Sequence, residues 1–360
     1  MHTVHNKFCG QDLYMTKKIG NESRFGSVPF LLKGGVKPRR SYALMIALVL
    51  VAFMSFAGVV SADNYWKGAP IQTELSGTVN GGVDVKYADT WTTPDKIGDE
   101  KSWANFTLSV DPSSETIKFA RLYVLVYMGN MTNNYYGTET VNMYRNGASP
   151  VNLADGQILE LNYDRNQGAS YVDVYEYTSD YIQNISRVTS DYLTVVDVTD
   201  LATTRNLNVS ILTTNVSGNF DGRIKEAKLV YGWDTTTNPQ DTRYWINEGH
   251  DPVTKNLVNP YVTNTTYFNS VGTPSSYTAK LWVDYSATAL GNGTYTWNGM
   301  DISKGKTYQP ELTKGYYGGI NYWTWTNTAG PGISGTGNNV LTYSKTNDWY
   351  KIPLAVFTIK

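Results

Sequence analysis

Thr278-Ala-Lys-Leu-Trp-Val-Asp-Tyr285 is the stretch on which the fold turns. Ala279, Leu281, Val283 and Tyr285 fall on one side, and Lys280, Trp282 and Asp284 on the other. A period of two is that of an extended strand, here with one face on a core and one half open to water. The stretch Ile117–Tyr127 carries the same period with less contrast. Ile117, Phe119, Tyr123, Leu125 and Tyr127 share one face, and Leu122, Val124 and Val126 fill the other. That pattern predicts a central strand covered on both sides. Strand-like runs continue over 139–145, 157–163, 170–178, 192–198, 206–213, 223–233, 243–247, 261–268, 319–326, 338–344 and 350–359. Turn residues separate them, among them Asn146-Gly147, Asn292-Gly293 and Asn298-Gly299, and Asn-Gly suits tight turns with positive φ. No long stretch shows a helical stripe. Many short strands at this spacing predict an all-β fold of sandwiches, jelly-roll or Ig-like.

Two sandwich domains are expected, 63–232 and 243–360, joined by a polar, turn-rich linker over 233–242. The halves read as a faint duplication. Asp111-Pro-Ser-Ser-Glu-Thr-Ile-Lys118 precedes one aromatic strand, and Thr273-Pro-Ser-Ser-Tyr-Thr-Ala-Lys280 leads into another. Residues 1–62 are set apart as an N-terminal extension and signal peptide. Lys37, Arg39 and Arg40 precede an apolar run from Tyr42 to Val60, and small residues at Val60-Ser61-Ala62 mark a cut before Asp63. That order is a secretory leader; the competing reading is a membrane anchor, since the run approaches spanning length. The expected location is the cell exterior, with no stable membrane span after cleavage.

Of 30 basic and 31 acidic residues, the leader holds 8 and 2, leaving 22 against 29 and a mature charge near −7. Nucleic acid, which calls for a basic stripe, is not an expected partner. The one cysteine, Cys9, lies in the leader, so a chain cut before Asp63 has no disulfide and no thiol chemistry. About 300 residues can bury a core without such staples.

Catalytic groups are sparse, and no enzyme activity or cofactor is expected. His250 is the single histidine of the mature part, and no Gly-x-Ser-x-Gly elbow occurs. Glu248 and Asp251 could form a carboxylate pair or a weak calcium site. The simpler reading makes Glu248–Pro252 a solvated turn leaving a strand at Arg243–Ile246. The stronger signal is aromatic, with 28 Tyr and 10 Trp. Tyr316, Tyr317, Tyr322, Trp323, Trp325, Trp349 and Tyr350 are the candidate assembly or ligand-facing rings. Neighbours on a strand alternate faces, so Tyr322, Trp323 and Trp325 cannot all point inward. Acceptor sequons stand at Asn105, Asn130, Asn184, Asn208, Asn215, Asn264 and Asn292, a number that chance alone supplies in a chain this rich in Asn, Ser and Thr.

Tyr244-Trp-Ile-Asn-Glu-Gly-His-Asp251 resembles a Trp-x-Asn-Glu-Gly-x-Asp segment of a domain-of-unknown-function family of methanogen surface proteins, where it sits between two β-rich halves. Ala227–Gly232 and Tyr350–Thr358 look like that family's apolar closing strands. Size, aromatic content and the absence of mature cysteine are also similar to subunits of archaeal cell sheaths. The resemblance implies a self-assembling subunit of a sheath or surface layer, a homopolymer using strand edges and aromatic faces. Lightly charged strands such as Tyr192–Val198 and Asn338–Tyr343 fit pairing between copies. The alternative is a secreted module that binds cell-surface carbohydrate or mediates adhesion through the same rings.

Overall fold

The computed structural model describes residues 69–92, 100–129, 134–145, 148–161, 181–188, 191–237, 239–253, 262–272, 275–287, 293–304, 306–308, 311–313, 316–345 and 350–360. The expected leader, the expected strand over 170–178, and Trp349, Asn130 and Asn292 lie outside them. Within them the fold is all-β, interrupted by one 3-10 turn at Thr199–Leu201. Among the described residues no helix is long and apolar enough to cross a membrane.

Four antiparallel sheets carry the chain. Sheet I orders β3 (Thr90–Thr92), β4 (Glu100–Thr107), β10 (Asn206–Gly218), β6 (Tyr135–Tyr144) and β7 (Val151–Leu161). Sheet II orders β2 (Gly81–Tyr87), β11 (Arg223–Asp234), β5 (Thr116–Tyr127), β9 (Asp191–Asp197) and β8 (Ile182–Val188). Sheet III orders β1 (Ala69–Val79), β12 (Thr242–Pro252), β21 (Tyr350–Ile359), β14 (Thr278–Ala287), β19 (Tyr316–Thr326) and β17 (Lys306–Tyr308), with β18 (Glu311–Thr313) also on β19. Sheet IV orders β13 (Thr263–Phe268), β20 (Asn339–Ser344), β15 (Thr294–Trp297) and β16 (Met300–Asp301).

Three apolar cores stack these sheets in the order I, II, III, IV. Leu122, Val124 and Val126 of β5 face Val209 and Ile211 of β10 in the first core. The other face of β5, with Phe119, Tyr123 and Leu125, meets Ile246 of β12 and Leu354 and Val356 of β21 in the second. Ala279, Leu281, Val283 and Tyr285 of β14 pack on Tyr295 and Trp297 of β15 and Leu341 of β20 in the third. Strand β5 is thus central and covered on both sides, as its double apolar pattern predicts. Strand β21 is buried throughout in the same way. It accommodates Pro353, which cannot donate to a ladder, because the register shifts there against both β12 and β14.

The strands change sandwich near the expected linker: β2 to β11 build sheets I and II, and β12 to β21 build III and IV. The exception is β1, which pairs along β12 in sheet III before the chain steps into sheet II at Asn80. Gly81 makes that step possible, since a Cβ there would sit 2.4 Å from the Trp233 carbonyl oxygen. Residues Ala62–Lys360 form one compact unit.

Phe357 is the hub of the third core, with ring centroids 4.6 Å from Trp297, 5.5 Å from Phe268, 5.6 Å from Trp245 and 6.1 Å from Trp325. Phe357→Ala is expected to cost about 3–5 kcal/mol, as large-to-small changes in packed cores do. Urea denaturation followed by tryptophan fluorescence measures it.

Candidate functional site

The gap between sheets II and III holds charge as well as apolar side chains, and strand alternation puts it there. Arg121 lies between Phe119 and Tyr123 on the β5 face that looks at sheet III. It meets Glu248 of β12, its Nε donating to Oε2 at 3.1 Å and its Nη2 pairing with Oε1, while the Tyr123 hydroxyl donates to Oε2 at 2.7 Å. On β11, Glu226 and Lys228 share the face of Val230. The Lys228 ammonium bonds to both Glu226 and Asp284 of β14, and all three side chains are buried. The Tyr87 hydroxyl stands 3.1 Å from Asp284 Oδ1 and 3.2 Å from Glu226 Oε2. A third pair joins Asp191 of β9 to Lys351 of β21.

Burial and the neighbouring Asp284 charge push Glu226 up to about 7, and burial raises Asp284 as well. Burial alone would lower Lys228, but the charges of Asp284 and Glu226 outweigh it and raise it. Two carboxyls on one buried ammonium cannot both stay ionised cheaply, so the cluster favours holding an extra proton.

Where the same gap opens to solvent it forms a groove of about 570 Å³. Trp282 and Tyr322 lie directly opposite each other across β14 and β19, and Tyr87 faces them from sheet II. Asp84, Lys86 and Lys280 supply charged groups around the rings. The Tyr87 hydroxyl is tied inward to the buried carboxyls, which holds its ring in place.

The sequence-predicted aromatics divide accordingly. Tyr350 and Trp325 are core, the first stacked on Tyr285 and the second on Phe357. Trp323 is half-buried and donates to the Ile302 carbonyl. Tyr322 is exposed in the groove. Tyr316 and Tyr317 belong to β19, but their side chains lie outside the described residues.

Glu248–Pro252 is strand rather than a solvated turn, for β12 runs buried through Pro252. The reason is the Arg121 partner, which lets a carboxylate sit inside at Glu248. Glu248 and Asp251 do not converge on a shared ligand. Glu248 faces sheet II, whereas Asp251 accepts from Asn264 at 3.1 Å and from Tyr343, both in sheet IV. Among the described residues no group of three His, Cys, Asp or Glu side chains could hold a metal. Arg121, Glu226, Lys228, Asp284, Asp191 and Lys351 escaped the sequence reading. Arg121 left a visible signal, since it interrupts an apolar face on a strand whose other face is also apolar.

The strands expected to offer light edges are interior. Strand β9 pairs with β5 and β8, and β20 with β13 and β15. Two of the edge strands carry guards: Pro70 and two register shifts on β1, and Gly156 at φ +63 on β7. The outer face of sheet I is different. On β10 it presents Asn206, Asn208, Leu212, Thr214 and Val216, with Ser210 covered among them, and on β6 Tyr136, Thr138, Thr140, Asn142 and Tyr144. No charge stands on either strand's outer face, and Leu212, Val216 and Ile158 of β7 are exposed there. Trp103 and Tyr144 pair at 5.2 Å across it. Of the sequons, Asn105 and Asn208 are opposite each other on this face and Asn215 is exposed nearby. Asn264 is buried on Asp251, and the side chain of Asn184 lies outside the described residues.

These features define a layered all-β protein, two sandwiches sealed face to face by ion pairs. Residues 64–360 match the family described as protein of unknown function (DUF3344), and the chain belongs to that family. No curated protein matches it. Among solved structures, a chain in the cryo-EM structure of the Sputnik virophage is similar at 13% identity, over 76% of this chain and 85% of that one, with a TM-score of 0.17. That likeness is too slight to bear on fold or function.

Arg121→Met, which strands Glu248 in the gap, is expected to cost about 3–5 kcal/mol. Adding Glu248→Leu should recover much of it, because the uncompensated charge is then gone. A double-mutant cycle in urea reads the coupling.

Proposed function

We propose that the protein is a structural subunit of an archaeal cell exterior, a sheath or surface layer, and that copies of it associate through the outer face of sheet I. The observation that carries this reading is the uncharged outer surface of β10 and β6, with Leu212, Val216 and Ile158 exposed on it. These two strands offer a second copy amides, hydroxyls and aliphatic groups, and the exposed cation beside them, Lys101 of β4, stands opposite Leu212 over the Trp103 ring; natural monomers seldom leave such surface unused. The secretory pattern before Asp63 and the confinement of cysteine to Cys9 suit an exported, disulfide-free building block. Sugar on Asn105, Asn208 or Asn215 would cover the same face, so this association belongs to copies bare at those positions.

Electron microscopy of the concentrated Ala62–Lys360 unit is expected to show sheets, tubes or hoops. Leu212→Lys with Val216→Lys should leave dispersed monomers of nearly parental stability, since surface changes stay within about 0.5 kcal/mol. Monomers from the parent chain would refute the reading.

The groove favours a second reading, a carbohydrate-binding or adhesion module. Trp282, Tyr322 and Tyr87 offer ring faces, and the charged groups of Asp84, Asp89, Lys86 and Lys280 offer donors and acceptors for hydroxyl groups. A glycan array should show ligands lost on Trp282→Ala. An array blank for the parent chain removes this reading.

A further inference from the structure

We infer that Lys228 and Asp284 are joined by an intramolecular isopeptide bond, Nζ to Cγ, that forms within the folded protein with Glu226 as the catalytic proton carrier and staples sheet II to sheet III. Every part that such a condensation needs is in contact. The nucleophile is the Lys228 amine and the electrophile is the Asp284 carboxyl, partners across the gap. A second carboxyl, Glu226, sits on the same Nζ from two residues away on β11. The Tyr87 hydroxyl, 3.1 Å from Asp284 Oδ1, is placed to stabilise negative charge on that oxygen when the carbon becomes tetrahedral.

The surroundings exclude water. Lys228, Glu226 and Asp284 are at most 1% exposed. Across the strands Lys228 faces Tyr87 and Tyr123, and Asp284 faces Ile320 and Leu354. Burial brings the neutral amine and neutral acid closer in energy to the ion pair, and although the charges of Asp284 and Glu226 still hold Lys228 raised, the reactive pair is reached by transfer of one proton from Nζ to the carboxyl. The phenol of Tyr87 has a single proton to give. If it goes to Asp284 Oδ1, the 3.2 Å contact with Glu226 Oε2 closes only when Glu226 is itself protonated and donates to the phenol oxygen. The raised Glu226 and Asp284 agree with that arrangement.

The step balances without any co-reactant. Nζ of the neutral amine attacks Cγ of the protonated Asp284. Glu226 accepts a proton from the nitrogen at Oε1 while the proton on its Oε2 passes through Tyr87 to Oδ1, leaving a neutral diol at Cγ. The C–Oδ2 bond then breaks and one water leaves, made of Oδ2, its own proton and the proton given up by Oδ1, and Glu226 ends protonated as it began. The product is a secondary amide whose oxygen keeps the Tyr87 hydrogen bond. Proximity of this kind replaces activation by a leaving group, because the fold holds the reactants in contact. The bond would do for a cysteine-free mature chain what a disulfide does elsewhere.

Protease digestion of the full chain with tandem mass spectrometry tests it. The expected product is a branched peptide containing Lys228 and Asp284, lighter than its two arms by one water. Recovery of both residues only in linear peptides overturns the bond. Lys228→Arg keeps the charge without a competent nucleophile and should yield only linear peptides. Glu226→Ala, shown folded by circular dichroism, should greatly reduce the branched product. An undiminished branch in that variant would overturn the role of Glu226.

Discussion

Everything in this protein hangs on how charge is admitted between sheets II and III. Two sandwiches with purely apolar outer faces would stack in several registers, since apolar contact is non-directional. The charged groups remove that freedom. Arg121 must find Glu248, Lys228 must find Asp284, and Lys351 must find Asp191. Each pair takes one member from each sheet, so a slip of one strand would leave several charges buried alone. Desolvating these groups costs about as much as their attraction returns. Their contribution is to specify one alignment of the sheets, while the aliphatic contacts around them supply the net stabilisation.

This gap also links the buried chemistry to the surface. Tyr87 belongs to both: its hydroxyl reaches the Glu226 and Asp284 carboxyls and its ring lines the groove. A residue anchored in that manner presents a ring with little freedom left to lose on binding. Trp282 sits between Lys280 and Asp284 on β14, so one strand contributes the groove wall and the buried electrophile within three residues. Groove and cluster are consecutive positions of the same alternating face.

Much of the fold was legible because its central strands carry an undiluted period of two. Strands β5, β11, β14 and β21 announce themselves in this way, and β5 even announces that both its faces are covered. Strands β1 and β2 carry no such signal. Gly77, Gly81 and Gly82 dilute the pattern in these segments, and much of β1 is exposed as an edge. The candidate site was less legible. On Lys280, Trp282 and Asp284 the alternation shows a shared face and says nothing of its environment. Lys280 meets water, but Asp284, four residues along the same face, lies under sheet II. Alternation says which residues share a face; which part of that face a second sandwich covers depends on strands far away in sequence. The aromatic signal misled in a related way, because Trp325 and Tyr350 serve the third core, and among the candidate rings whose side chains are described only Tyr322 is exposed.

The pairing of β1 with β12 also sets an order of events. Thr73 bonds to Asn247, a separation of 174 residues. During synthesis, strands β2 to β11 can find one another while β1 still has no ladder to join. Its partner emerges only after the whole first sandwich has been delivered, and non-local closures of this length are slow. Until then the face of sheet II that carries Arg121, Glu226 and Lys228 stays wet and its charges stay solvated. The middle of the protein is therefore completed last, and the groups that register the finished molecule meet their partners only at that final step.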